Sequence, residues 1–150
     1  MTYLLIAVAA LMFGLYNVFI KLSAGHIHAV LGAVVLQFVA AFMGLAWLLY
    51  LMATQSASPH FTSRGITVAA LAGIAIGLVE ILTFVVYGRG LPVAVGNPLI
   101  IGGSLLVTTG VGVLLLREAL SPLQLGAIGL IALGIGVFAW EAARQAGTPG

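Results

Sequence analysis

GITVAALAGIAIGLVEILTFVVY, Gly65 to Tyr87, is an apolar segment long enough to cross a bilayer, with one carboxylate, Glu80, inside it. An ionised side chain at the centre of a membrane helix costs about 2.5 to 3.5 kcal/mol on insertion scales, which disfavours a bare carboxylate facing lipid. Glu80 therefore has a partner, is protonated, or lines a wet cavity. Each option makes it the leading functional candidate. Ala69, Gly73 and Gly77 fall on its helical face, and Thr83 and Tyr87 continue it at helical spacing.

The rest of the composition agrees with a membrane setting. Of 150 residues 63% are hydrophobic and 5% charged, and the mean hydropathy is +1.28; soluble domains carry roughly 25% charge. Apolar runs of about twenty residues suit spanning helices rather than the alternating ten-residue segments of a barrel. The reading is an all-α integral membrane protein of five transmembrane helices, at about 3–22, 30–53, 65–87, 91–116 and 122–140, in a single domain over 1–150. The absence of cysteine removes disulfides and thiolate ligation. Five Lys and Arg against three Glu are too few charges to indicate a nucleic-acid partner.

In the first span Gly14, Asn17 and Lys21 share a face, so Lys21 either completes a polar stripe or snorkels to the interface. His26 and His28, in SAGHIHA, lie two apart with no carboxylate or thiol nearby and read as loop histidines, not as a metal site. The second span carries Ala33, Gln37, Ala41 and Gly44 as a stripe of small residues around one amide, suited to packing or to solute contact. Tyr3, Trp47 and Tyr50 suit interfacial belts. TQSASPHFTSR is a polar connector that includes Pro59 and ends at Arg64.

Gly88, Arg89 and Gly90 form a tight turn into the fourth span, which makes the third and fourth spans antiparallel neighbours. Pro98, after Gly96 and Asn97, predicts a break or kink with freed carbonyls, marking either a binding site or an ordinary proline kink. Ser104, Thr108 and Gly112 form a packing stripe. Ser121 caps a fifth helix that starts at Pro122 and presents Gly129, Ala132, Gly136 and Ala139 on one face. The tail EAARQAGTPG, 141–150, reads as polar and frayed.

Because the spans alternate, the ends of the first and third and the starts of the second and fourth share one side. Glu80 lies seven residues before Tyr87, roughly 10 Å deep at 1.5 Å per residue. Asn17 and Asn97 come out near that depth, Lys21 and Tyr87 above it, and Gln37 deeper, which predicts one polar cluster. Arg64 and Arg117 on one side face Lys21, Arg89 and Arg144 on the other, almost no positive-inside bias.

LREALSPLQLGAIGLIALGIGVF, Leu116 to Phe138, and FGLYNVFIKLSAG, Phe13 to Gly25, resemble the repeat of the drug/metabolite transporter superfamily. The first holds a glutamate at the close of helix four before a Gly-rich helix five. The resemblance implies one EamA-type half. Most members carry two halves in ten helices, whereas this chain is similar to the five-span bacterial and archaeal members. With an odd span number, the equivalent arrangement is an antiparallel homodimer, joined through the Gly129 to Ala139 face. Glu118 matches the family motif and, with Arg117 beside it, reads as structural. Small multidrug transporters of this superfamily hold their proton-coupling glutamate in helix one; here the acid is Glu80 in helix three, which argues against quaternary-cation export.

These readings point to a secondary transporter of a small organic solute in the cell membrane. Glu80 is its proton or amine site, and Asn17, Lys21, Gln37, Asn97, Thr83 and Tyr87 support it. The alternatives are a non-transporting membrane subunit, in which Glu80 and Lys21 pair to hold helices, and a lipid or lipid-headgroup flippase. No metal constellation, activated nucleophile or nucleotide loop indicates an enzyme or a cofactor.

Overall fold

In a computed structural model, which describes residues 1–54 and 60–146, the chain is all-helical, with α1 (Thr2–Ser23), α2 (Ala29–Ala53), α3 (Ser63–Gly88), α4 (Val93–Leu114) and α5 (Pro122–Ala146). All five are long and apolar enough to span a membrane. Helices satisfy their own backbone donors and acceptors, which makes them the stable form for such sequences in lipid. Their large apolar side chains point mostly outward, as a lipid solvent allows. Gln55 to Pro59, within the polar connector, and the last four residues of the tail lie outside the described residues.

The chain forms two compact units, Met1–Leu91 and Pro92–Gly150. In the first, α3 packs against both α1 and α2. The α2–α3 pairing is antiparallel: Gly32 meets the Phe84 ring and Gln37 lies alongside Gly77. A Cβ on Gly32 would stand 2.6 Å from that ring, so glycine sets the closest approach of these helices. The small-residue stripe of α2 is engaged at one end alone. Ala33 is buried and Gln37 half-buried, while Ala41 and Gly44 are exposed.

Local signals explain three of the helix ends. Thr62 caps α3 by accepting from the Gly65 amide at 3.1 Å, so α3 starts at Ser63 and takes in Arg64. Gly90, at φ +97°, turns the chain after α3, a conformation that glycine adopts without steric cost. Ser121 and Gln124 form a reciprocal capping box on α5: the Gln124 amide donates to Ser121 Oγ at 3.2 Å and the Ser121 amide to Gln124 Oε1 at 2.8 Å.

In the second unit α4 packs on α5, with Ile135 seated against Gly102. Two sequence expectations are corrected here, the break at Pro98 and the fraying of the tail. The predicted break at Pro98 is absent, because α4 runs unbroken from Val93 to Leu114; the proline withholds one N–H, from the Ala94 carbonyl, and a single lost bond does not end a 22-residue helix. Ser104 and Thr108 are exposed and donate to carbonyls of their own helix, while Gly112 is buried. α5 continues through 141–146, where Gln145 donates to Glu141 at 3.2 Å and Arg144 lies 3.9 Å from the same carboxylate. The α5 stripe is divided: Ala132 and Ala139 are half-buried, whereas Gly129 and Gly136 have nothing within 4 Å of a Cβ position.

The turn after α4 accounts for Arg117 and Glu118. Arg117 takes a left-handed conformation at φ 57°, allowing the Glu118 amide to donate to the Gly112 carbonyl at 3.0 Å. The exposed Glu118 carboxylate lies back against Gly112, where a Cβ would come within 2.7 Å of it.

Candidate functional site

Glu80 is 2% exposed and sits where α1 crosses α3. One carboxylate oxygen, Oε1, accepts a hydrogen bond from the Tyr16 hydroxyl of α1. The other, Oε2, has no partner among the described residues. Seven residues on, the Tyr87 hydroxyl is equally buried and also lacks a partner among them. The Tyr16 phenol and Glu80 are thus paired between α1 and α3. Buried polar atoms without partners are costly, which sets Glu80 Oε2 and the Tyr87 hydroxyl apart from the other buried side chains of this unit.

The predicted cluster is thereby narrowed. Asn17 is buried on the expected face, but its Nδ2 donates to the Phe13 carbonyl of its own helix at 2.9 Å. Thr83, also buried, donates to Val79 at 2.7 Å. Lys21 forms no ion pair with Glu80 among the described residues. Its Nζ donates to the Tyr87 carbonyl at 3.1 Å and stands 5.9 Å above the Tyr87 ring. The physical reason is the end of α3, whose carbonyls carry the negative end of the helix dipole; the Tyr87 carbonyl accepts from the Gly90 amide at 3.0 Å and has a second lone pair for the ammonium. Gln37 lies by Gly77, one turn from Glu80, and so stays at the edge of the site. Asn97 belongs to α4 in the second unit, half-buried with its Oδ1 unpartnered among the described residues.

Tyr16 is the member of the candidate site that sequence reasoning missed. The signal was present: α1 and α3 run in the same direction, and Tyr16 lies seven residues before the end of α1, as Glu80 lies eight before the end of α3. A tyrosine that deep is below the interfacial belt, and its hydroxyl needs a partner.

Beside this cluster, α1 and α2 diverge around a groove of about 800 Å³. Its walls are Met12, Leu15 and Phe19 from α1 and Val35, Val39 and Met43 from α2, with Phe84 of α3 among the lining residues. Polar side chains enter it at Tyr16 and Ser23, and the Ser23 hydroxyl donates to the Ile20 carbonyl. Glu80 does not line the groove; Tyr16 borders both.

The fold and site define a multi-pass membrane protein with a buried, incompletely bonded carboxylate next to an apolar groove. Comparisons with protein-family models, curated proteins and solved structures find no match for the chain.

Proposed function

We propose that this protein is a secondary-active transporter of a small organic solute, one EamA-type half of the drug/metabolite transporter kind, working by alternating access in the cell membrane. The observation that carries the reading is Glu80: an acid held inside an apolar helix bundle with one oxygen bonded and the other free to take a proton or a donor group. The almost balanced loop charges and the open Gly129 and Gly136 face of α5 support an antiparallel homodimer as the working form.

The test is a thermal-stability screen of purified protein against amino acids, amines, sugars and nucleosides, followed by counterflow of any hit in reconstituted vesicles. A ligand at a hundredfold excess over its Kd stabilises by about 2.7 kcal/mol. Glu80→Gln keeps an acceptor for Tyr16, so it should fold while losing proton-coupled counterflow. Undiminished proton-coupled transport in that variant removes Glu80 from the mechanism. A second reading, a non-transporting membrane subunit, draws on Asn17, Thr83 and Lys21, whose side chains are all committed to helix carbonyls. It gains if no solute class stabilises either form and Glu80→Gln merely shifts the melting point.

A further inference from the structure

We infer that Tyr16 is a gate between the apolar groove and Glu80, and that the occupant admitted is an apolar solute with a single hydrogen-bond donor group. The inference rests on the transporter reading for its purpose but on geometry for its content. Tyr16 is half-buried, contributing to the groove wall while its hydroxyl occupies Oε1 of Glu80. Glu80 is closed off from the groove, and its unpartnered Oε2 is an acceptor without a donor.

Charge and polarity complementarity name the occupant. The groove offers hydrocarbon contact along α1 and α2, and the polar group behind Tyr16 is Glu80, with its unpartnered Oε2 as acceptor. A hydrogen-bond donor on an otherwise apolar body satisfies both regions at once. A purely apolar molecule would fill the groove and leave the buried oxygen unsatisfied. A strongly polar molecule would lose its hydration against the groove walls without recovering it. Entry to the carboxylate requires the Tyr16 side chain to release Oε1 and swing aside, which joins occupancy of the groove to the bonding of the acid. Tyr16 is thus a positioning residue, acting through Glu80.

The ionisable groups around Glu80 are few. From α1 come Tyr16 and Lys21, and from α3 itself Tyr87; α2 brings Gln37 and no ionisable side chain before Tyr50.

Dicyclohexylcarbodiimide is an apolar reagent that adds a carboxylic acid across one N=C bond, proton to nitrogen and oxygen to carbon, with no leaving group; it reads the protonated fraction of Glu80, which exchanges with the ionised acceptor form, and so follows the route without knowledge of the solute. Mass spectrometry of the purified full chain locates the adduct, with Glu80→Gln as the blank. Tyr16→Phe keeps the ring and removes the hydroxyl; it should speed labelling of Glu80 by about tenfold, the equivalent of one hydrogen bond, and shift its pH profile. The chain has no native cysteine, so Ala40→Cys on the groove wall can be capped with N-phenylmaleimide after folding. Capping should slow labelling by a similar factor, in detergent and in phospholipid vesicles alike.

Unchanged rates on both manipulations overturn the gate, as does a Glu80 that labels in neither wild type nor Tyr16→Phe. Labelling that proceeds in detergent and stops in vesicles assigns the groove to a lipid acyl chain and overturns the solute. If the gate behaves as described while no solute shows counterflow, the transporter reading fails and the gate stands.

Discussion

At the scale of single residues, the interior of the first unit is governed by close approach at glycine and by the bonding of one acid. The Phe84 ring fills the space that a side chain at position 32 would need, with three ring carbons 2.6 to 3.0 Å from the Cβ position. Gly32→Ala should therefore destabilise the protein by about 1 to 3 kcal/mol through overpacking. Phe84→Leu in the same chain should recover part of the loss. A thermal-unfolding double-mutant cycle in detergent measures this, and strictly additive effects would show that the two residues do not meet. Glu80 was legible as the residue to explain because an acid in an apolar 23-residue run is conspicuous in any order of reading. Its partner was legible only in depth, since the matching distance of Tyr16 from its helix end puts it at the level of Glu80 but the face it presents is a tertiary fact. Lys21 shows the same limit: its spacing is compatible with a bond to Glu80, but the Tyr87 carbonyl at the end of α3 takes it.

Among the helices, boundaries follow chemistry that a short window of sequence contains. Ser121 and Pro122 announce the start of α5, and Gln124 completes the box three residues on. Ser121→Ala removes one of two reciprocal bonds and should cost about 1 kcal/mol. Amide hydrogen exchange should then accelerate over the first turn of α5 while α3 keeps its protection; uniform acceleration would mean that the cap supports the whole fold. Helix ends set by a cap or a glycine turn were readable to within two residues. The α5 terminus was not, because the polar composition of Glu141 to Ala146 suggests fraying, whereas side-chain contacts spaced at i, i+3 and i+4 extend the helix. Pro98 misleads for the opposite reason. A local breaker early in a long helix removes one bond, and the remaining turns keep the segment helical through it.

For the molecule as a whole, the open question is what covers the α5 face at Gly129 and Gly136. A second copy in inverted orientation is the proposed partner, and it makes a prediction about topology. Single cysteines placed in the cysteine-free chain at the α5 terminus should label from both sides of the membrane in whole cells; labelling confined to one side would leave a parallel oligomer or a different partner. By itself the sequence determined that the protein is all-helical, that five helices are long and apolar enough to cross a membrane, and that Glu80 is its outlying residue, because length, hydropathy and capping are properties of contiguous residues. The tertiary structure alone decided which polar groups meet. Hydrogen bonding to a helix's own carbonyls competes with bonding between helices, and only the placement of α1, α2 and α3 shows that Asn17 and Thr83 take the first course and Tyr16 the second.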